Sequence, residues 1–342
     1  GVSHPIEREG PVRLYETERE IRRFAPRDAI VVENQGIREY TTRLVNEDYV
    51  DPTLVVLTNV RRDHLDTLGR ELGAIARSLA RAVPSGATVV SGERNPALRP
   101  FLERELARRD ARLVDVFDDA APTASPADEL IAIVDATLEE LGLDPLSPAE
   151  RAAYRDRLHL AWVEHPEGRA FHAAPVNDVE STDLVRRALS GGRDEPITPI
   201  VYFRADRPGR TASFVDYLNR LAAAGLVRTV HGLGAHRPVV TRRLSVPVTW
   251  HDEATERPEA VLEAAFADGE PVITMGNGVP QFMQDLAAVI DIRAAILADE
   301  VEPEPAPTGV VENPYGTPEH DALADVENAI EDADGTDVER TV

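Results

Sequence analysis

The feature that most constrains the fold is an order of segments: short, unbroken runs of branched apolar residues alternate with stretches of helical period. AIVVE (29–33), LVVLT (54–58) and ATVVS (87–91) show no polar alternation, so they read as strands covered on both faces. Between them, residues 68–83 put Leu72, Ile75, Ala76, Leu79 and Ala80 on one helical face, and residues 96–109 form a second helix begun by proline. Strand, helix, strand in that order is the pattern of a parallel sheet covered by helices. RLVDVF (112–117) adds a strand, 118–130 reads as a loop, and helices follow over 131–142 and 147–161, the second capped by Ser147 with Pro148 in its first turn. A second series then sets strands at 171–176, 197–203, 226–232, 244–250 and 271–275 between helices at 182–191, 211–225, 258–267 and 280–290.

The expected class is therefore α/β, with two parallel-sheet domains. HPEGR (165–169) breaks the pattern and sets the boundary, giving domains over 1–165 and 166–298, a division that suits 342 residues. Residues 299–342 are crowded with acids, carry Arg340 as their one base, and open on the proline-rich EPEPAPTG. They read as an acidic, flexible, solvated tail with one short helix near 320–330.

Charge and missing residue types exclude several functions. Asp and Glu number 61 against 37 basic residues, a net of -24, which repels a nucleic-acid backbone. There is no cysteine, so disulfides, thiolate catalysis and Cys-ligated metal centres are excluded. No run approaches the roughly 20 apolar residues of a membrane span, so a membrane role must come through a partner. Lysine is also absent and every basic residue is arginine. That removes a P-loop lysine, a Schiff-base lysine and a carbamylated lysine from consideration. Arginine with excess acid suits a halophilic protein kept soluble in concentrated salt, and a GC-rich genome with an acidic tail gives the same composition. No GxSxG, HExxH or GxGxxG supports a hydrolase, a metalloprotease or a dinucleotide oxidoreductase.

Three segments can carry chemistry. TNVRRDHLDTLG (58–69) follows a strand, where ligands of open sheets usually bind, and gathers Thr58, Asn59, Asp63, His64 and Asp66. Carboxylates from Asp63, Asp66 and Glu33, the end of the preceding expected strand, could join His64 around a divalent cation; His64 could equally be a structural or capping histidine. PVNDVEST (175–182) and FRADRPGRT (203–211) also follow strands. Asn177 and Asp178 can grip a nucleotide or an amino acid, or Asp178, Ser181 and Thr182 can simply cap a helix. Arg204, Arg207 and Arg210 suit carboxylate or phosphate binding, with interdomain salt bridges as the alternative. MGNGV (275–279) is a glycine turn that allows a ligand close approach. The histidines at 231 and 236 lack an intervening carboxylate, and those at 4, 159, 165, 172, 251 and 320 lack local partners.

TNVRRDHLDTLG resembles the TN…DHLD…G signature of the Mur ligase superfamily. GPVRLYE (10–16), VVENQGI (31–37), VLTNVRRDHLD (56–66), FHAAPVNDVEST (171–182) and FRADRPGRT (203–211) are, in order, similar to the poly-gamma-glutamate synthase ATPase subunits, PgsB or CapB. The resemblance spans 1 to about 290 and implies a Mur-ligase-like central ATP-binding domain followed by a Rossmann-like ligase domain. It implies an ATP- and magnesium-dependent acid–amino-acid ligase that activates a glutamate gamma-carboxylate as an acyl phosphate for poly-gamma-glutamate capsule synthesis. Carried over, Glu33 and His64 associate with the metal, Asn59 and Asp63 shape their loop, and Asp178 meets the ribose. Arg204, Asp206, Arg207 and Arg210 match the RADRPxR segment. Family members begin with a glycine-rich GK[ST] phosphate loop that would lie upstream of Gly1, so the chain given is expected to be N-terminally incomplete and inactive in ATP turnover. The implied partners are glutamate or its polymer and an integral-membrane synthase subunit, with a cytoplasmic, peripherally membrane-associated location. A non-catalytic scaffold, or a Mur-like ligase for another amino acid, are the alternative functions.

Overall fold

Val55, Val89 and Leu113 lie side by side in register across three parallel strands, β1 (Leu54–Leu57), β2 (Thr88–Ser91) and β3 (Arg112–Asp115). The structure is a computed structural model that describes residues 30–34, 36–117 and 126–300. The GPVRLYE segment (10–16) and the expectations for 301–342 lie outside the described residues. Helix α1 (Glu39–Leu44) runs on as a π-helical turn (Val45–Val50) before β1. Helices α2 (Leu72–Arg81) and α3 (Arg99–Ala107) cover one face of the sheet, burying Ile75, Ala76, Leu102 and Leu106 against Val89. On the other face, α4 (Pro126–Glu140) brings Ile133 onto Val90 and Phe117. Helix α5 (Pro148–Arg157) starts as expected: Ser147 accepts the Glu150 N–H and the Glu150 carboxylate answers to the Ser147 N–H, with Pro148 in the first turn.

Two expectations here are corrected. Residues 30–34 are not a strand; Val31 is 99% exposed and Glu33 faces solvent. An apolar run forms a strand only where a neighbour pairs its backbone, and tertiary context overrides its propensity here. The stretch 118–130 is not all loop either, since α4 begins at Pro126. Strand β1 is also less covered than its sequence suggests, with Val56 exposed.

The second sheet has six strands in the order β4-β5-β9-β6-β7-β8: β4 (Val163–His165), β5 (Gly168–His172), β6 (Thr198–Phe203), β7 (Val230–Gly234), β8 (Val248–Trp250) and β9 (Val272–Met275). Only the β4–β5 pair is antiparallel. HPEGR is thus the turn of a hairpin inside this sheet, and the sheet starts at Val163, ahead of the expected boundary at 166. The interrupted pattern was a tight turn. Helices α6 (Val179–Leu189), α7 (Pro208–Ala223) and α8 (Arg237–Arg243) pack Val185, Phe214, Leu218 and Val240 on one face. Helices α9 (Pro258–Phe266) and α10 (Gln281–Glu300) pack Leu262, Met283, Leu286 and Ile290 on the other. With helices on both faces, the strands need the continuous apolar runs the sequence shows.

The buried histidines of this sheet serve structure. His231 Nδ1 lies 2.8 Å from His251 Nε2, while Asp268 and Glu256 take the outer nitrogens at 3.1 and 2.7 Å. Burial holds His231 below its ordinary value, with Asp268 opposing. The chain of four groups ties residues 251–256 to β7. His251 therefore has the partners its sequence neighbourhood did not show.

Candidate functional site

The carboxyl ends of the strands in both sheets carry the loops singled out above, and those loops meet. Residues 58–66 follow β1. Their base is fixed by Glu93, 0% exposed beyond the end of β2, whose two oxygens accept the Val60 N–H at 2.6 Å and the Asn95 N–H at 2.7 Å. Gly92 permits this approach: a Cβ there would lie 2.6 Å from the Thr58 carbonyl oxygen. The loop turns back at His64, whose φ of 51° is in the left-handed region. Asp63 Oδ1 accepts the His64 N–H at 2.8 Å, and the His64 carbonyl accepts the N–H groups of Thr67 and Leu68.

From the second sheet, residues 204–207 lead from β6 into α7, and Gly209 packs against this loop, its missing Cβ 3.3 Å from Asp66 Oδ1. Arg210 donates to Asp63 Oδ1 at 2.8 Å and to Asn177 Oδ1 at 3.1 Å, so one guanidinium joins loops from both sheets. Arg207 Nη1 lies 3.3 Å from His64 Nδ1. Arg62 donates to Glu180 at 2.5 Å, a third crossing. Desolvation would raise Asp63, yet the bond and charge of Arg210, with His64 beside it, hold it below its ordinary value. His64 is held down by burial first; Asp63 opposes this, and Arg207 and Arg210 add to it.

Of the expected site residues, Asp63, His64, Asn177, Arg207 and Arg210 therefore come together. Asn59 is half-buried in the same loop. Asp178 takes the capping alternative: its Oδ1 accepts the Ser181 N–H at 2.7 Å and its carbonyl accepts Thr182, so α6 begins at Val179 and not near Thr182. Burial pushes the Asp178 carboxyl up, with the Ser181 bonds opposing it. The Arg204 side chain keeps its bonds within its own loop, gripping Asp206 at 2.7 and 2.6 Å. The expected metal cluster is not formed. Glu33 is solvent-facing, Asp63 and His64 each have an arginine partner, and among the described residues no group of three or more His, Asp or Glu converges on a cation position. As arranged, these residues do not fit a divalent cation.

Sequence reasoning missed Glu93 and the Arg62–Glu180 pair. Glu93 was readable only as the polar residue after the ATVVS strand, the position that Thr58 and Asn59 hold after β1. Behind Arg207, the turn into α10 needs glycine: Gly276 has φ 96° and its absent Cβ would be 2.5 Å from the Tyr202 carbonyl. This close contact is internal to the sheet, which is the role the MGNGV turn serves.

Residues 159–292 match the family model of the poly-gamma-glutamate synthase CapB C-terminal domain, a span that takes in all six strands of the second sheet. This part of the chain is thus similar to a CapB-type C-terminal domain. The fold of E. coli FolC in complex with DHPP and ADP is similar, with a TM-score of 0.50 and 18% identity over 73% of this chain and 63% of that one. Folylpolyglutamate synthase/dihydrofolate synthase from Yersinia pestis c092, complexed with AMPPNP and Mn ion, gives 0.51 at 16% identity over 82% and 68%. Mycobacterium tuberculosis folylpolyglutamate synthase, complexed with ADP and AMPPCP, gives 0.51 at 14% over 82% and 71%. The chain spans 63% and 64% of the length of the two E. coli FolC structures it matches. No curated protein sequence matches it. In the CapB-type domain, the strand-end loops that face the first sheet are those carrying Asn177, Arg207 and Arg210.

Proposed function

We propose that the chain is an ATP-dependent amide ligase that activates a glutamate gamma-carboxylate as an acyl phosphate and couples it to an amine, lengthening a gamma-linked glutamate polymer. The observation that supports this reading is the meeting of His64, Asp63, Arg207 and Arg210 between two sets of strand ends, one of them in a CapB-type domain. The similar structures hold ADP, AMPPNP or AMPPCP, which makes ATP the expected cosubstrate; the Mn ion of one makes a divalent cation, magnesium in the cell, its expected companion. In such a reaction the terminal phosphoryl group passes to the carboxylate, and the amine then displaces phosphate from the acyl carbon. Negative charge grows on the phosphoryl oxygens, and fixed guanidinium donors are suited to stabilising it. Arg210 can exchange Asn177 or Asp63 for a phosphate or carboxylate oxygen. In a chain of net charge -24, arginines 207 and 210 also reverse the local field for an acidic substrate.

Titration of a fluorescent ADP analogue into the full chain checks the site. Binding is expected, and Arg210→Ala is expected to weaken it about tenfold or more, the loss of a charged hydrogen bond. Equal binding by both proteins sinks the assignment. With a glycine-rich GK[ST] phosphate loop joined upstream, release of ADP that depends on glutamate, and not on other amino acids, identifies the substrate; nucleotide binding without release from that completed protein favours a non-catalytic homologue.

The proposal extends to an integral-membrane synthase subunit as partner, with the chain held at the cytoplasmic membrane face. Among the described residues no helix is long and apolar enough to cross a membrane. Co-expression with the membrane subunit is expected to move the chain into the membrane fraction, at high salt. An unchanged distribution counts against the partnership.

A further inference from the structure

Charge is spread unevenly along this chain. Asp and Glu make up 61 of 342 residues, yet none falls between Asp216 and Asp252, a stretch that carries Arg220, Arg228, Arg237, Arg242 and Arg243. The fold gathers four of these on one side of the second sheet, where α7 and α8 pack. The Asn219 side chain donates to the Arg243 carbonyl at 3.0 Å and accepts the Ser245 N–H at 2.8 Å, which sets Arg220 beside the end of α8. Arg220, Arg237, Arg242 and Arg243 are exposed, and none of them forms an ion pair among the described residues. Arg228 differs, since Glu270 takes it at 2.8 Å. Several exposed arginines elsewhere also have a partner: Arg62 has Glu180, Arg112 has Glu140 and Arg187 has Asp183. Helix α7 carries a single acid, Asp216, and α8 carries none.

A helix C-terminus favours a cation, which accounts for Arg242 and Arg243 but not for Arg237 in the first turn of α8, where the dipole opposes it. Arg237 follows His236, whose Nε2 lies 3.1 Å from the Arg204 carbonyl oxygen, so α8 starts beside the loop that holds Arg207. From Arg207, α7 leads to Arg220, about 20 Å on at about 1.5 Å per residue. We infer that the exposed arginines of α7 and α8 bind an acidic polypeptide, laid extended along the two helices. A span of about 20 Å takes about six residues of extended chain. A thin chain can lie within a Debye length of the arginines, about 10 Å at about 0.1 M salt. A broad anionic membrane would also meet the acids of a protein of net charge -24. Single-stranded nucleic acid needs exposed rings to stack on, and the aromatic residues of α7, Phe214 and Tyr217, are 1% and 3% exposed. The inference goes beyond the ligase reading, because it needs neither nucleotide nor turnover.

The test titrates the full chain, without nucleotide, into fluorescein-labelled alpha-linked oligoglutamates and reads their anisotropy. A peptide of about ten residues should bind about fivefold or more tightly than one of about three, which cannot span the two helices. Binding should weaken as salt is raised, since the contacts are exposed. Arg220→Ala, Arg242→Ala and Arg243→Ala combined should weaken the long peptide about tenfold, with the denaturant midpoint unchanged because all three side chains are exposed. Arg228→Ala, at the arginine paired with Glu270, should match the parent. Equal affinity of the parent and the triple variant would overturn the inference, as would equal affinity for the short and the long peptide. Tighter binding to phosphatidylglycerol vesicles, or to an oligothymidylate, than to the long peptide would overturn it as well. No nucleotide is present, so this result and that of the ADP-analogue titration can fail separately.

Discussion

Asp183→Ala is expected to destabilise the protein by about 3–5 kcal/mol, the cost of leaving a buried charge without its partner. Arg186 on the same helix is 2% exposed, and its Nε and Nη2 both reach Asp183 Oδ1 at 2.9 Å. Its Nη1 has no hydrogen-bond partner among the described residues, and Asp194, largely exposed, stands 4.0 Å from Nη2. Asp183 also receives Arg187 at 2.8 Å and, from α7, the Tyr217 hydroxyl at 3.0 Å. Alanine removes all four bonds and leaves the guanidinium against Tyr217 and the core it packs in. Asp183→Asn keeps an acceptor but not the charge and should lose less. Replacing Arg186 by Met in the alanine background should recover part of the loss, since no buried charge remains. Denaturant midpoints measure all three; a loss below about 1 kcal/mol for Asp183→Ala would show that the pair is not the anchor of α6 on α7.

The same pair predicts a pH dependence. Desolvation would raise the Asp183 carboxyl, but Arg186, Arg187 and Tyr217 outweigh it and hold the group below its ordinary value. A depressed carboxylate contributes stability that is complete above its unfolded value, about 3.9, and is lost as pH falls through the lower folded one. The acid limb of the stability curve should therefore be shallower in Asp183→Ala than in the parent.

The sequence made the strands of the second sheet legible because helices cover both of its faces, and such strands have no polar side to blur the apolar run. The ITPIVYF run became β6, with Val201 and Ile200 each 0% exposed. The same signal failed at AIVVE, where apolar content alone cannot supply a pairing neighbour. The β4–β5 hairpin was hidden because Val163–His165 is too short to show a period. Among site residues, Asp63, His64, Asn177, Arg207 and Arg210 were visible as polar groups just past apolar runs, and the topology brought those run ends together. What could not be read was which partner each would take. Arg204 and Arg207 look alike in the sequence, yet Asp206 captures the first while the second crosses to His64. Pairing across 143 residues of chain depends on the packing of two sheets and leaves no local pattern.

Glu93→Ala is expected to impair the site without touching a ligand. The Glu93 carboxyl is wholly buried and supplies the acceptors for the backbone N–H groups of Val60 and Asn95, which hold the loops after β1 and β2 together. Alanine leaves the Val60 donor unpaired in the interior, at about 1–3 kcal/mol unless water enters the space, and frees the half-buried Asn95 donor as well. Val60 itself is 1% exposed, so the loop cannot simply swing outward to hydrate its N–H without uncovering an apolar side chain. The same loop carries Asp63 and His64 to Arg210 and Arg207, and a shift of its base relaxes those contacts. Amide hydrogen exchange at Val60 and Asn95 should quicken in Glu93→Ala, and ADP-analogue affinity should fall as well. Glu93→Gln retains one oxygen but turns an N–H donor toward one of the two backbone donors, so it should lie between alanine and the parent. If exchange at Val60 is unchanged in Glu93→Ala while stability falls, the residue supports only the core; if exchange quickens and nucleotide affinity holds, the loop does not position the site.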